Sequence, residues 1–377
     1  MTTRTKIVVT IGPASDNMKT LTALLKAGMH IVRFNFSHNT TAWHIASITH
    51  VRNAAAKLER SIAIMADLQG PCIREGTSKR MKEREAPYLS EKDKLDIQAA
   101  LSVGVNLFAL SFVRTAQDIK DARTWIQQEC QGSVGLIAKI ECKDAVDHIK
   151  EILEEADGIM VARGDLGVEI PQEQVPVVQK DVVALCRQKG VPVIVATQMM
   201  ESMIHSPTPT RAEVSDVANA VIDHADAVML SGETAQGEYP VEVVSEMQKI
   251  IAHTERSRYD DLYSRQQALE LVSGISKGTP SVQGILVVHP GDIWASRAVS
   301  RIRPELPIFV PCSTPLMQDI LALSWGVVPL QLSDTIPATQ LVSQSLGFIH
   351  TQGWLKAGEK LMLVHPQEPS RVVSLSV

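Results

Sequence analysis

Residues 135–165 have the sequence GLIAKIECKDAVDHIKEILEEADGIMVARGD. Two short, β-rich apolar runs, Gly135–Ile140 and Gly158–Ala162, flank a stretch with helical spacing of apolar residues, Asp144–Glu155. Continuous apolar runs are typical of parallel strands that are covered on both faces, whereas half-exposed strands alternate apolar and polar residues. The segment therefore predicts a strand, a helix and a second strand parallel to the first.

The same alternation of strand and helix recurs through the first two thirds of the chain. The candidate strands are Lys6–Ile11, His30–Phe36, Ser61–Leu68, Asn106–Phe112, Gly135–Ile140, Gly158–Ala162, Pro192–Thr197 and Ala227–Leu230. Eight evenly spaced strand–helix units within about 255 residues favour a closed (β/α)8 barrel. The alternative, an open doubly wound sheet, rarely needs so many even units.

A smaller α/β domain is expected after the barrel. We assign residues 1–255 to the barrel, 256–278 to a polar linker and 279–377 to a C-terminal α/β domain. The strand-like runs of that domain are Ile285–His289, Ile308–Pro311 and Lys360–His365. Within the barrel, the alternation of strands and helices is interrupted at residues 76–87. A run of charged residues there predicts a solvated loop without a core of its own.

Composition excludes several classes of protein. The 377 residues are 45% hydrophobic and 21% charged, which is globular rather than disordered composition. No apolar run approaches the roughly 18 residues of a membrane span, and the first residues lack the apolar core of a signal peptide. A net charge of −5 and 4% aromatic residues argue against nucleic acid as a partner. The five cysteines are scattered and form no Cys-x-x-Cys pair, so we expect neither a disulfide framework nor a zinc site. The same pattern favours a cytoplasmic location, where thiols stay reduced.

Charged residues stand at the predicted C-terminal ends of several strands. In a (β/α)8 barrel these ends meet on one face, where catalytic groups lie. Each charge could belong to a structural ion pair, but several that converge on one face favour a binding or catalytic site. The charged residues expected on this face are Arg33, Asp67, Lys139, Glu141 and Asp165.

Glu141 and Asp165 follow neighbouring strands, so together they could bind Mg²⁺ or Mn²⁺ and leave positions open for substrate oxygens. The alternative is a carboxylate pair that is neutralised by Arg163. Lys139 points to the same side as Glu141 because strand periodicity is two. Its charge suits a phosphate or a developing enolate oxygen, although a simple ion pair with Glu141 is the alternative. Backbone N–H groups near Gly164, at a helix start, could bind a carboxylate or phosphate.

Small oxygen donors follow two other strands. Asn35, Ser37 and Asp67 could bind a monovalent cation or could simply bond one another. His38 comes next, and a lone histidine at a strand end is more often structural than catalytic. Further along, Thr210 and Glu213 have the spacing of a capping box at the start of a helix.

Seven stretches of the chain together match the pattern of a known family: Thr5–Ser15, Val32–His38, Lys139–Glu141, Gly158–Ile170, Ala196–Met203, Pro209–Glu213 and Met229–Ala235. In this order they resemble the pyruvate kinase family. The resemblance covers roughly residues 4–255, and the C-terminal part is similar only in outline. It implies a (β/α)8 TIM barrel with a C-terminal α/β domain and a glycolytic activity, phosphoryl transfer from phosphoenolpyruvate to ADP giving pyruvate and ATP.

The resemblance also implies catalytic roles. Glu141 and Asp165 match the family's divalent metal ligands. Lys139 matches the lysine that stabilises the transferring phosphoryl group and the enolate oxygen. Arg33 matches the arginine that contacts the phosphoryl group, and Thr197 the threonine implicated in protonating the enolate.

Binding roles follow from the same resemblance. It implies a potassium site made by Asn35, Ser37, Asp67 and the carbonyl of Leu68. It implies a carboxylate site for phosphoenolpyruvate or pyruvate made by Ala162, Arg163, Gly164, Asp165 and Thr197. It implies a nucleotide side, for ADP or ATP, with Arg74 and His38. A homo-oligomer, tetramer or dimer, is also expected.

The chain departs from the family pattern in two places. The family inserts a lid domain after strand three, and residues 76–87 are too few to form one. Cys72 stands where the family usually has Glu, which leaves the potassium requirement open. Because lid closure normally helps to position the nucleotide and to exclude water, a second function is kept. It uses the metal and Lys139 for pyruvate-enolate chemistry without nucleotide, as an aldolase, lyase or oxaloacetate decarboxylase. A third alternative is a non-catalytic binding or assembly protein.

Overall fold

The structure is a computed structural model that describes residues 3–71, 73–75, 78–80, 88–273, 281–288, 293–332, 336–365 and 368–374. Of residues 73–75, 78–80, 338, 368–372 and 374, only the backbone is described. Cys72 and most of the predicted loop 76–87 lie outside the described residues.

Eight parallel strands close into a barrel, which confirms the predicted (β/α)8 architecture. The strands up to residue 230 are β1 Lys6–Thr10, β2 Ile31–Asn35, β3 Ala63–Asp67, β4 Ile73–Glu75, β5 Ser78–Arg80, β6 Leu107–Leu110, β7 Gly135–Ile140, β8 Gly158–Ala162, β9 Val193–Ala196 and β10 Ala227–Leu230. Around the barrel the hydrogen-bonded order is β1-β10-β9-β8-β7-β6-β3-β2, and β2 pairs with β1 to close it. Strands β4 and β5 stand apart from the barrel as an antiparallel pair.

Helices follow the strands and cover the outside of the barrel. They are α1 Met18–Ala27, α2 Thr41–Ala56, α3 Glu91–Ser102, α4 Ala116–Cys130, α5 Lys143–Asp147, α6 Ile149–Glu155, α7 Arg163–Glu169, α8 Val175–Lys189, α9 Arg211–Ile222, α10 Gly232–Ala235 and α11 Pro240–Thr254. The predicted helix Asp144–Glu155 is two helices, because His148 (φ −105°, ψ 15°) leaves helical geometry between them. The predicted capping box at Thr210 and Glu213 is confirmed at the start of α9.

The C-terminal part forms a five-stranded sheet with helices. Its strands are β11 Gly284–Val287, β12 Ile308–Cys312, β13 Val327–Gln331, β14 Lys360–His365 and β15 Glu368–Ser374, and its helices are α12 Arg265–Ser273, α13 Ile293–Ser300, α14 Pro315–Ala322 and α15 Ala338–Thr351. The order is β13-β12-β11-β14-β15, with β15 antiparallel to β14. Helix α12 lies inside the range predicted as linker, and its Leu269 packs in the core of this domain.

The barrel interior is filled by one face of its strands. Side chains such as Val8, Met65 and Met160 form this inner layer, while the alternate residues face the helices. Ile320 and Leu323, at the end of α14, pack against the same layer at the N-terminal end of the strands. The C-terminal domain therefore closes the N-terminal end of the barrel, and the opposite end is left to form a site.

Polar contacts also join the two domains. Arg303 donates to an Asp226 oxygen at 3.0 Å and to the carbonyl of His224 at 2.6 Å. Asp226 accepts a further hydrogen bond from the backbone of Trp325 at 2.9 Å. In the described part of the chain no helix is both long and apolar enough to cross a bilayer.

Candidate active site

A cavity of about 60 Å³ opens at the C-terminal ends of the barrel strands. It brings together most of the residues predicted from the sequence, namely Arg33, Asn35, Ser37, Asp67, Lys139, Glu141, Ala162, Asp165 and Thr197. They come from five different strand ends, so the convergence is a product of barrel closure.

Asp67 lies at the end of β3 in the centre of a charge network. Its Oδ2 accepts from Arg33 Nε at 2.7 Å, and Arg33 Nη2 lies 2.6 Å from the same oxygen. Its Oδ1 accepts from Lys139 Nζ at 3.0 Å. Burial alone would raise the pKa of Asp67, but the charges of Lys139 and Arg33 outweigh it and hold the pKa below its ordinary value. Asp67 is therefore an anion that orients two cations.

Lys139 is 7% exposed and is held on three sides. Its ammonium group donates to Ser111 Oγ at 2.7 Å and to Asp67, and it lies 2.9 Å from Glu141 Oε1. Burial lowers the pKa of Lys139, yet the two carboxylates more than offset it, and the pKa is raised overall. Lys139 thus keeps its positive charge inside the cavity, with its position defined by surrounding groups.

Glu141 is fully buried directly after β7. Its Oε2 accepts the backbone N–H of Phe112 at 2.8 Å, while Oε1 forms an ion pair with Lys139 but no hydrogen bond of regular geometry. Phe112 adopts a positive φ of 57°, a strained backbone geometry for a non-glycine residue that occurs often at functional sites. Burial raises the pKa of Glu141, Lys139 lowers it, and the nearby charges of Asp165 and Asp67 raise it further.

The carboxylates fit a divalent ion that is shared with a substrate. Among the described residues, no group of three or more His, Cys, Asp or Glu side chains could hold a metal by itself. Glu141 and Asp165 line the same cavity and sense each other's charge. Mg²⁺ is commonly held by one or two carboxylates and completes its octahedron with water and substrate oxygens. A buried Glu141 oxygen without a regular hydrogen bond is consistent with such a site.

The residues predicted for a monovalent cation lie on neighbouring strand ends but already bond one another or their surroundings. Asn35 Oδ1 accepts the backbone N–H of Ser37 at 3.1 Å. The carbonyl of Leu68 accepts from Ser111 Oγ at 2.7 Å, and the Leu68 side chain is buried. Asp67 is paired with Arg33 and Lys139 as described above. Asn35, Ser37 and Asp67 thus line one cavity, and these oxygens use part of their hydrogen-bonding capacity within the protein.

Thr197 follows β9 with a positive φ of 69°. Its Oγ1 accepts the backbone N–H of Gly164 at 2.8 Å and donates to the carbonyl of Ala196 at 2.6 Å. A Cβ at Gly164 would lie 3.4 Å from Thr197 Oγ1, so the absence of a side chain there lets the two segments approach. The Gly164 amide, which is predicted to bind substrate, donates to the Thr197 hydroxyl in the described structure.

The Arg163 side chain is directed to helix α9. It forms two 2.7 Å contacts with the carboxylate of Asp216 and donates to the carbonyl of Thr197 at 2.7 Å. Arg163 is not among the residues that line the cavity. Sequence spacing could not show this, because Asp216 is 53 residues away along the chain.

Four other predicted residues are not among those that line the cavity in the described structure. Leu68 and Gly164 bond the lining residues Ser111 and Thr197. His38 is exposed just beyond β2 and does not line it. The Arg74 side chain lies outside the described residues, although its backbone is part of β4.

Sequence reasoning missed several residues of the lining: Gln69, Ser111, Phe112, Met160 and Met229. Ser111 follows β6 directly, so the strand-end rule could have found it. Met160 is two residues before Ala162, and the period of two within a strand puts it on the same inner face.

Comparison with known proteins agrees with this architecture. The barrel-domain model of pyruvate kinase matches residues 2–86 and 80–244, and the pyruvate kinase alpha/beta-domain model matches residues 294–371. The two barrel matches meet at the place where the family's lid domain would be inserted, and none of the matches covers a lid.

Individual relatives are similar over most of the chain. Pyruvate kinase 2 of Synechocystis sp. is 33% identical over 452 aligned positions, which cover 96% of this chain and 76% of the relative. A pyruvate kinase of Clostridium acetobutylicum is 31% identical and covers 98% and 97%. One from Agrobacterium vitis is 36% identical and covers 88% of each. Because these similarities accompany the barrel, the C-terminal sheet and the charged cavity, the chain belongs to the pyruvate kinase family.

Proposed function

We propose that this chain transfers the phosphoryl group of phosphoenolpyruvate to ADP, giving pyruvate and ATP. The observation that carries the proposal is the pair of cationic groups, Arg33 and Lys139, held by Asp67 in a cavity that also contains Glu141 and Asp165. A phosphoryl group in transfer is rich in negative charge, and catalysis of its transfer rests on positioning and on fixed positive groups.

Arg33 and Lys139 would divide the electrostatic work. Arg33 is anchored by Asp67 and Thr10, so its guanidinium needs no reorganisation to contact the phosphoryl group. Lys139 would stabilise the transferring group and the enolate oxygen that forms as the phosphoryl group leaves. Its neighbours keep it charged and immobile, which is the condition for stabilising a charge that develops only in the transition state.

A divalent ion fits the same reaction. When bound, Mg²⁺ or Mn²⁺ supplies positive charge and orients phosphoryl and carbonyl oxygens. Glu141 and Asp165 would hold it, and Asn35, Ser37, Asp67 and the Leu68 carbonyl are the proposed K⁺ ligands. Chelation with EDTA is expected to abolish turnover, and added Mn²⁺ to restore it.

Binding of the organic substrate is assigned to the segment after β8. Backbone groups of Ala162–Asp165, with Thr197, would receive the carboxylate of phosphoenolpyruvate, and Thr197 would help deliver a proton to the enolate. Arg74 and His38 remain the proposed nucleotide-side residues. We further propose a cytoplasmic homo-oligomer.

The test is a coupled assay with phosphoenolpyruvate, ADP, Mg²⁺ and K⁺. We expect pyruvate and ATP to form in equal amounts. Absence of ATP above background, with folded protein and millimolar substrates, contradicts the proposal.

A second function is favoured by the open end of the cavity. The alignment with the Synechocystis relative is longer than this chain, so the relative supplies residues that the chain lacks. In the described part of the chain, only the hairpin of β4 and β5 stands where the family's lid would be inserted. The cavity could then use Lys139 and the metal for pyruvate-enolate chemistry without nucleotide, as an aldolase, lyase or oxaloacetate decarboxylase.

Proton exchange separates the two functions from an inactive site. Pyruvate in deuterated buffer should exchange its methyl protons in a metal-dependent manner under either function. Exchange without ATP synthesis favours the second function, and absence of exchange rules it out.

A further inference from the structure

A cleft rich in arginine lies at the junction of the barrel and the C-terminal domain, away from the candidate active site. It is lined by the end of α8, the residues that lead into β9, and α13 with the segment that follows it. Asp226 is the sole acidic residue among its described lining residues, although the chain as a whole carries a net charge of −5. The arginines that line it are Arg187, Arg297, Arg301 and Arg303.

Two of these arginines form a buried floor. Arg297 and Arg303 are each 2% exposed. Arg297 donates to the carbonyl of Asp157 at 2.5 Å, and Arg303 is the residue that bonds Asp226 and His224. The Nε groups of both arginines and the hydroxyl of Ser324, which also lines the cleft, are buried without a hydrogen-bond partner. Buried polar groups without partners are rare and costly, so the floor has unused donors.

The other two arginines stand nearer the mouth. Arg187 is half-buried, and its side chain has no hydrogen bond or ion pair among the described residues. Burial lowers the pKa of Arg187, and the positive charge of Arg303 lowers it further. Arg301 is exposed, and its side chain donates one hydrogen bond, to the carbonyl of Gln188 at 3.1 Å. A guanidinium has five N–H donors, so both residues keep donors for a ligand.

Gly190 lies beside two of these arginines. It adopts a positive φ of 73° at the end of α8, and a Cβ there would lie 3.8 Å from Arg297 Cβ and 3.9 Å from Arg301 Cδ. The free space of the whole cleft is about 10 Å³, close to that of a single water molecule. One oxygen atom therefore fits within the cleft, and the rest of a ligand must remain outside, beside the arginines at the mouth.

We propose that this cleft binds a tetrahedral oxyanion, either inorganic phosphate or the phosphoryl group of a small phosphomonoester. Its several guanidiniums match the oxygens of such a group, and arginine is favoured where phosphate is bound by paired donors. A bound anion neutralises Arg187, whose half-buried charge is otherwise uncompensated. Since the cleft is built from α8 of the barrel and α13 of the C-terminal domain, the ligand ties the two domains together.

The test is phosphate-dependent stabilisation of the full chain. Binding to the folded state alone raises the melting temperature with ligand concentration. We compare wild type with Arg187→Gln, and with Arg258→Gln as the matched control, because Arg258 is an exposed arginine outside the cleft. The candidate active site is intact in all three proteins, so any phosphate bound there contributes equally to each.

We expect phosphate to stabilise wild type and Arg258→Gln equally, and Arg187→Gln to need at least tenfold more phosphate for the same shift. Arg301→Gln provides a second variant with the same expected direction. Equal phosphate dependence of Arg187→Gln and Arg258→Gln overturns the proposal, as does an equal effect of chloride at the same ionic strength. A parallel titration with glycerol phosphate distinguishes the two candidate ligands. Stabilisation by phosphate and by glycerol phosphate supports a site for phosphoryl groups, and stabilisation by phosphate alone supports a site for the inorganic ion.

Discussion

Lys139 carries its charge in a nearly closed environment, and its neighbours explain why. Asp67 and Glu141 flank it, and Ser111 Oγ accepts a hydrogen bond from its ammonium group. Glu141 would lose its paired cation without the ammonium group, and an unpaired buried charge is costly, whereas Asp67 would keep Arg33. Lys139, Asp67 and Glu141 therefore act as a unit, in which Lys139 both stabilises the fold and serves the proposed catalysis.

Replacement of this lysine tests both roles. Lys139→Met should lower kcat by about 10²–10³ or more, the usual loss when one fixed electrostatic donor is removed. It should also destabilise the protein by about 3–5 kcal/mol, because the buried Glu141 loses its cation and Asp67 loses one of two. Steady-state kinetics and urea unfolding measure the two effects.

Lys143→Met is the matched control. Lys143 lies on α5 in an exposed ion pair with Asp147, and exposed pairs contribute little. Wild-type kcat in Lys139→Met would refute the catalytic role, whatever happened to stability.

Strand ends differ from the predicted ones where a functional residue leaves the sheet. The predicted strand Asn106–Phe112 ends at Leu110, since Phe112 turns to a positive φ and donates its N–H to Glu141. The predicted strand Pro192–Thr197 ends at Ala196, since Thr197 also adopts a positive φ. At both ends, a side chain from another element takes the place of the regular strand partner.

The contact between α9 and the end of β9 should position Thr197. Arg163 bridges them by bonding both Asp216 and the Thr197 carbonyl. Asp216→Asn keeps the volume but removes the charge that orients Arg163, so we expect about a tenfold lower kcat. Because the change acts through the position of Thr197, KM for ADP should be nearly unchanged. Steady-state kinetics with each substrate varied separately measures this.

Asp181→Asn, at an exposed acid on α8, is the control for the same chemical change. If the two variants have equal kcat values, Arg163 and Asp216 serve stability alone. Partial rescue by Asp216→Glu would support a positioning role.

At the scale of the whole molecule, a buried carboxyl group lies where the barrel meets the C-terminal domain. Asp260 is 1% exposed, and neither of its oxygens has a hydrogen-bond partner among the described residues. Burial and the negative charges of Glu305 and Glu255 raise its pKa to about 8, against the opposing charges of Arg4 and Arg303. Burial likewise raises the pKa of Glu305 to about 7.

These pKa values predict that stability falls as pH rises. The ordinary pKa of an aspartate carboxyl is 3.8, so below about pH 4 Asp260 is protonated in both the folded and the unfolded state. Between about pH 4 and 8 the unfolded chain ionises first, so the folded state binds more protons and loses stability with each pH unit. Asp260→Asn should make the free energy of unfolding less dependent on pH, by up to about 1.4 kcal/mol per unit.

Urea unfolding at pH 5, 6 and 7 measures this slope. Other groups that face Asp260 also titrate or carry charge, so Asp261→Asn, at an exposed neighbouring acid, serves as the control. Identical slopes for wild type and Asp260→Asn would contradict the assignment. The charged or titratable groups near Asp260 are Arg4, His224, Glu255, Arg303 and Glu305.

The barrel and most of the cavity follow from local pattern. Continuous apolar runs specify parallel strands, and barrel closure brings the residues after each strand to one end, so Arg33, Asp67, Lys139, Glu141 and Asp165 could be grouped without coordinates. The pattern also separates a second α/β unit, because the strand–helix rhythm resumes after a polar stretch. These features depend on residues that are close in the chain.

Contacts between distant residues needed the folded chain. The pairing of Arg163 with Asp216, the amide of Phe112 on Glu141, and the arginine cleft join segments that no local rule relates. A side chain chooses its partner by the free energy of burying both groups together, and that depends on which surfaces the packing of helices and domains brings into contact. Periodicity along one strand carries no information about it.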